Sequence, residues 1–409
     1  MTARPSTPLP GEGPLLGVEG SFRPERLRSA LIRREAARLG VALEAIAARK
    51  LETGGGNPPI AETFAALEPA ERETLLMAPD FRRWVARIVR ATHPQSAPDA
   101  ALPVQVQALW NQLAIPWLRS AANLRGELSL LVFKDGTVPF PGSGIVLEGA
   151  AARRVRLVAD GEQLRIEAES GGTLAQEERQ TLLAAAGTTA APPSAPPSLR
   201  PPWRIAPRVD LIELSGPGAA MPEFVAQVSD ALAGLRRTWP GGATFVRALV
   251  RRIELDPNPE LNSKTVSELP GLVILGRHAT APEGAAELLV HEAAHLLVYE
   301  MARLQAVLPA PEAMRHSPFS RADARPAYMV LHGTASFCAQ AVTTARWSGA
   351  RSGADAQPAL SSRLRDETAL LKSGEQELQS HLAEHRETPH AFVAALFEEI
   401  SLLERWLGE

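Results

Sequence analysis

Two histidines and a glutamate fall within five residues, His291, Glu292 and His295, inside the stretch LLVHEAAHLLVYE at 288–300. A buried polar group costs free energy unless something satisfies it, so three together in an apolar run demand an occupant. In a helix, positions four apart lie roughly 40° apart around the axis and roughly 6 Å apart along it. His291 and His295 therefore point at a common spot, where two imidazoles can grip one cation. Glu292 stands roughly 100° round from His291, beside that spot. This is the H-E-x-x-H arrangement of metallohydrolases, whose glutamate handles the proton of a metal-bound water. The spacing alone also fits two core histidines satisfied by backbone or water. The flanking Leu288, Leu289, Val290, Ala293, Leu296, Leu297 and Val298 make the helix apolar on nearly every side, unlike a solvated helix that matches by accident.

A third donor has to come from elsewhere. Gly and His at the metzincin positions are replaced by Val298 and Met301, and the downstream acids Glu300 and Glu312 lie in no obvious partner helix. The best donor is His332 in RPAYMVLHGTASFCAQA, where Pro326 suits the first position of a helix and His332 follows about two turns on. Gly333, Ala335, Ser336 and Ala339 would let that helix approach the histidine pair closely; a core histidine capped by a carbonyl is the plainer reading of His332. A second histidine pair, HLAEH at 381–385, fits the inverted H-x-x-E-H pattern, but its neighbours EQELQS and RETPH read as a solvated helical face. His278 and His316 flank the site in sequence and read as surface-loop residues, and Cys338 reads as a buried structural thiol.

The elements that must position these groups follow from periodicity. The fold class expected is α+β, mainly helical with a small antiparallel sheet, the metal site lying on two packed helices at 285–303 and 326–345 of a C-terminal domain. Residues 1–20 are Pro/Gly-rich and read as disordered. Residues 21–189 form an N-terminal region: FRPERLRSALIRREAARLGVALEAIAARKL, PDFRRWVARIVRAT and VQVQALWNQLAIPWLRSAANLR are helical, with Trp110 and Trp117 as core anchors. ELSLLVF, GSGIVLEG, RRVRLVA and QLRIEAE then read as strands. AAPPSAPPSLRPPW at 190–203 is a stiff linker, and 204–409 is the metal-binding domain, with VDLIELSG and LPGLVILG as strands and FVRALVRRIEL as a helix.

Composition narrows the partners. A formal net charge of -3 over 409 residues leaves no basic footprint for nucleic acid. No apolar run approaches the roughly 18 residues of a membrane span, and the first residues lack the pattern of a signal peptide. The single cysteine excludes an internal disulfide and fits a reducing compartment, so a soluble, cytoplasmic protein is expected. Oligomeric state is not legible.

Three segments stand in order: SKTVSELPGLVILG, then AAELLVHEAAHLLVYE, then RHSPFSRADARPAYMVLHGTASF. Over roughly residues 260 to 345 this resembles the HExxH-type, 2-oxoglutarate-dependent peptide β-hydroxylases, the HExxH-containing peptide-modification proteins of ribosomal peptide natural-product pathways; the SPF…RP…LHG continuation is the distinctive part. The resemblance implies iron(II) held by His291, His295 and His332, with 2-oxoglutarate and dioxygen as co-substrates and a precursor peptide as the hydroxylated partner. Three histidines depart from the usual two histidines and one carboxylate of such iron enzymes and also suit a catalytic zinc. The far carboxylate of 2-oxoglutarate needs a cation, for which Arg325 is the nearest and Arg321 the next. Glu292 would then orient a ligand or hold a water. In a zinc peptidase it would be the general base, and in a non-catalytic peptide-binding protein the histidines would be a relic. Peptide could be recognised at an edge of the 127–168 sheet.

Overall fold

The structure is a computed structural model. It describes residues 24–49, 51, 60–93, 102–120, 125–132, 136, 138–140, 145–147, 150, 153–160, 163–168, 173–178, 181, 203–205, 207–210, 212–216, 220–258, 260–276, 281–320, 324–350 and 357–408. The segment expected to be disordered, and the linker apart from Trp203, lie outside these residues. Contacts divide the chain into two compact units, Ile32–Ser215, and Gly216–Glu409 with Met1–Leu31. The α+β expectation holds: helices dominate, and the sheets are small and mostly antiparallel. Among the described residues no helix is long and apolar enough to cross a membrane.

In the Ile32–Ser215 unit, helices α1 (Pro24–Ala48, which starts before the unit), α2 (Ile60–Ala65), α3 (Pro69–Met77), α4 (Pro79–Thr92) and α5 (Leu102–Ser120) pack around a shared core. Trp110 and Trp117 are both buried in it, as their place on the apolar face of α5 requires. Strands β1 (Arg125–Leu131), β2 (Val138–Phe140), β3 (Ile145–Leu147), β4 (Arg154–Asp160), β5 (Gln163–Ala168), β6 (Thr173–Glu178) and β7 (Trp203–Ile205) follow. They form two sheets, ordered β1-β4-β5-β6 and β2-β3-β7, not one. Asn111 of α5 ties helix to sheet, donating to the Leu131 carbonyl at 2.8 Å and accepting from its N–H at 2.9 Å. Trp203, expected to close a linker, opens β7 and pairs with Leu147 of β3. The expected strand VDLIELSG is a hairpin, β8 (Arg208–Val209) and β9 (Ile212–Ser215), because Asp210 turns the chain at φ 53°, a conformation that aspartate tolerates better than most residues.

The second unit begins with α6 (Met221–Thr238) and α7 (Pro240–Leu249), then strands β10 (Arg252–Asp256), β11 (Ser263–Thr265) and β12 (Leu272–Gly276). RRIEL, expected at the end of a helix, is strand: in β10 buried and half-buried residues alternate, the period of a strand against a core, and it runs parallel to β12. β11 pairs antiparallel with the other side of β12. Helix α8 (Pro282–Leu304) carries the HEAAH sequence, a short ribbon β13 (Met314–His316) and β14 (Ala324–Pro326) follows, and α9 (Ala327–Ala350) carries His332. Pro326, expected as the first helical residue, is the last of β14, paired with Met314, so α9 starts one residue later. Helices α10 (Gln357–Glu384) and α11 (Ala391–Gly408) complete the unit.

The close approach of these helices has a visible cause. A Cβ on Gly333 of α9 would stand 2.6 Å from the ring of Phe319, and one on Gly374 of α10 would stand 2.6 Å from Thr334 Oγ1 and 2.8 Å from the same ring. Phe319, from the SPF segment, thus sits on the bare backbone of both helices. The G in LHG is steric: it admits a phenyl ring one residue from His332.

Candidate metal centre

Helices α8 and α9 meet along two rows of polar residues at four-residue spacing, Glu287, His291, His295 and Tyr299 on one, and Tyr328, His332, Ser336, Gln340 and Thr344 on the other. Positions four apart form a ridge, so each row presents a continuous line to the other helix. Thr344 Oγ1 donates to Glu287 Oε1 at 2.9 Å, His291 Nδ1 meets Gln340 Oε1 at 3.0 Å, and His295 Nδ1 meets His332 Nδ1 at 3.0 Å. Tyr299 then lies over His332, ring centroids 4.3 Å apart. As residue numbers rise on α8 their partners fall on α9, so the helices are antiparallel. The fold thus brings together the three histidines picked out in the sequence, two from α8 and one from α9.

His332 is 1 % exposed and Glu292 3 %, while His291 and His295 are half-buried. Burial keeps all three imidazoles neutral: it lowers His291 to about 4 and His332 to about 3, and lowers His295 to about 2 with help from the other two histidines. Neutral imidazole is the form that donates a lone pair to a metal. Burial pushes the Glu292 carboxyl up to about 7 against hydrogen bonds from Ser263 and Thr265 of β11; Ser263 Oγ donates to Oε1 at 2.6 Å. Of the buried side-chain atoms without a hydrogen-bond partner among the described residues, two belong to this site: His332 Nε2 and Glu292 Oε2.

These atoms bear on whether a cation fits. Two nitrogens bound at right angles to one ion, with bonds of about 2.1 Å, stand about 3 Å apart. The Nδ1 atoms of His295 and His332 have that separation. At this distance two neutral rings share either one proton, as an N–H···N hydrogen bond, or a cation between two lone pairs, and the other nitrogen of His332, Nε2, has no hydrogen-bond partner. The third ring is close, its centroid 4.9 Å from that of His295, but its Nδ1 is turned to Gln340. Among the described residues no group of three His, Cys, Asp or Glu is placed to hold a metal ion. Three neutral imidazoles are nevertheless a donor set of the chemistry that a divalent cation takes, and the bond to Gln340 leaves His291 its Nε2.

Aromatic rings enclose the cluster. Phe337 meets His291 edge-on at 5.1 Å, Phe319 stacks on Phe337 at 5.0 Å, and Tyr328 meets His332 edge-on at 4.5 Å. The chain has two tyrosines, and both lie against His332. Arg325 stands in β14 opposite Arg315, whose guanidinium is bound to Glu384 and His381 of α10. Directly opposed residues of an antiparallel pair share a face, so Arg325 belongs to the face that carries Arg315. Arg321 and His278 lie outside the described residues, and His316 is exposed in β13.

His381 corrects an expectation. It is fully buried, not solvated; its Nε2 donates to the Pro309 carbonyl at 2.7 Å and its Nδ1 accepts from Arg315 Nε at 3.2 Å. Glu384 and His385 of the same motif are exposed, and Cys338 is buried as expected. Sequence reasoning passed over Gln340, Ser263, Thr265 and the two tyrosines. The four-residue polar row of α9 was the signal that would have found Gln340 and Tyr328; nothing local singles out Ser263, which reaches Glu292 only through the pairing of β11. No protein-family model matches the chain, and no curated protein matches it.

Proposed function

We propose that this protein is an iron(II)- and 2-oxoglutarate-dependent hydroxylase acting on a side-chain carbon of a ribosomally made precursor peptide. The observation that carries the metal part is the meeting of His332 with His295 across two helices, with a buried nitrogen left unfilled; the oxidative part rests on the SPF…RP…LHG resemblance. His291, His295 and His332 would hold the cation. Bound there, iron and the keto acid supply the oxidation: one atom of dioxygen enters the peptide C–H bond as hydroxyl, the other enters succinate, and carbon dioxide leaves. The residues of the chain prepare the site. Phe337, Phe319, Tyr299 and Tyr328 exclude water from the imidazoles, Glu292 holds a proton or a water beside them, and Arg325 is the proposed partner of the far carboxylate. Oxygen uptake by the Fe(II)-loaded protein, with and without 2-oxoglutarate, tests the reading. Uptake that requires 2-oxoglutarate, with succinate formed and one oxygen gained by a peptide, supports it; no dependence on 2-oxoglutarate refutes it.

One observation favours a second reading, a zinc peptidase. Glu292 has a free oxygen and a carboxyl held up to about 7, both suited to a general base. That reading requires peptide fragments with zinc and no keto acid, and their loss in Glu292→Gln.

A further inference from the structure

The partner of His291 is an amide, where a carboxylate would fit as well. Gln340 Oε1 lies 3.0 Å from His291 Nδ1, so the ring donates its Nδ1–H to the amide oxygen and keeps its lone pair on Nε2. The carboxylates one turn before and one residue after His291 are engaged with other groups. Glu287 accepts from Thr344 and Arg363, and Glu292 accepts from Ser263. His295 has a neutral imidazole, His332, as its partner. Aromatic rings are neighbours too: Phe337 lies against His291, and the two tyrosines lie against His332. Among the described residues the hydrogen bonds of the three imidazoles run to Gln340 and to one another, and none to a carboxylate.

We propose that Gln340 is a positioning residue that orients His291 through Nδ1 while keeping the donor set neutral, so that a divalent cation bound there retains its full double charge and prefers a dianionic chelating ligand. The inference rests on the cation site proposed above and extends it to the class of ligand that completes the site. A carboxylate at position 340 would polarise the ring, strengthen its bond to the cation and cancel part of the charge the ligand senses. Metal affinity and dianion affinity should then move in opposite directions, which a merely structural glutamine would not produce.

The test uses the full chain, Co(II) followed by its visible absorption, and oxalate as a dianionic probe on the Co(II)-loaded protein, in Gln340→Glu and Gln340→Leu. Gln340→Leu should weaken Co(II) binding by roughly 10- to 100-fold. Gln340→Glu, nearly isosteric and able to accept the same hydrogen bond, should bind Co(II) more tightly and oxalate several-fold more weakly. Co(II) affinities of both variants within about twofold of the parent, or Co(II) and oxalate affinities moving together in Gln340→Glu, would overturn the inference, as would a parent protein that takes up no Co(II). Should Gln340→Leu fail to fold, Gln340→Glu decides alone. Oxalate binding without 2-oxoglutarate binding counts against the hydroxylase and leaves Gln340 its role.

Discussion

The chain has two histidine pairs at four-residue spacing, His291 with His295 and His381 with His385, and the fold treats them differently. At the second pair one ring is buried with both nitrogens spent, on a carbonyl and on a guanidinium, and the other ring is exposed. At the first pair a third histidine is delivered from another helix, and its ring keeps a nitrogen without a partner. Spacing is common to both; what separates a candidate ligand set from a structural histidine is the number of lone pairs left over after packing. His381 locks α10 to the segment before β13. His332 locks nothing through Nε2.

The largest effect that sharpens this comparison is on metal content. His291→Ala should abolish stoichiometric cation binding, whereas His381→Ala should leave the stoichiometry unchanged and instead lose about 1–3 kcal/mol of stability, from the carbonyl and guanidinium left unpaired. Metal analysis and denaturant unfolding of the two variants check both halves. Next comes the response of the metal-free protein to acid. The three imidazoles are held below the 6.5 of a free histidine, at about 4, 2 and 3. A base depressed in the folded state stabilises the fold fully above its unfolded pKa and loses that contribution as pH falls toward the folded value. Unfolding free energy should therefore drop between pH 6.5 and 4, by at most about 3 kcal/mol for His291 alone. His291→Ala should reduce the slope over that window by about a third, since His295 and His332 still contribute; an unchanged slope would mean that His291 is not buried with the other two.

Smaller effects probe the scaffold. Gly333→Ala places a methyl 2.6 Å from Phe319 and should cost about 1–3 kcal/mol in unfolding experiments, with weakened metal binding because the ring abuts the turn that carries His332. Ser263→Ala removes the 2.6 Å hydrogen bond to Glu292 and should cost about 1 kcal/mol near neutral pH, where the ionised carboxyl needs that donor, and less in acid.

Much of this is legible in the sequence. The apolar flanks of HEAAH required a buried helix, and small residues around His332 required a closely packed one; α8 and α9 bear out both. Trp110 and Trp117 marked their core by size alone. The failures share a cause, which is pairing between residues distant in sequence. RRIEL continues a helical pattern locally and becomes β10 because β12 lies beside it. Trp203 looks like the end of a proline-rich linker until β3 supplies a partner. His381 looked solvated because its neighbours are charged, yet Pro309 and Arg315 arrive from about seventy residues away to satisfy it.

The central claim is that one cation is shared by α8 and α9, and anaerobic Fe(II) titration of His332→Ala beside the parent protein tests it most directly. The account predicts one tightly held Fe(II) per parent chain and at least a roughly hundredfold weaker site in the variant, with the helices still folded. Equal affinity in the two proteins, or none in either, would contradict it.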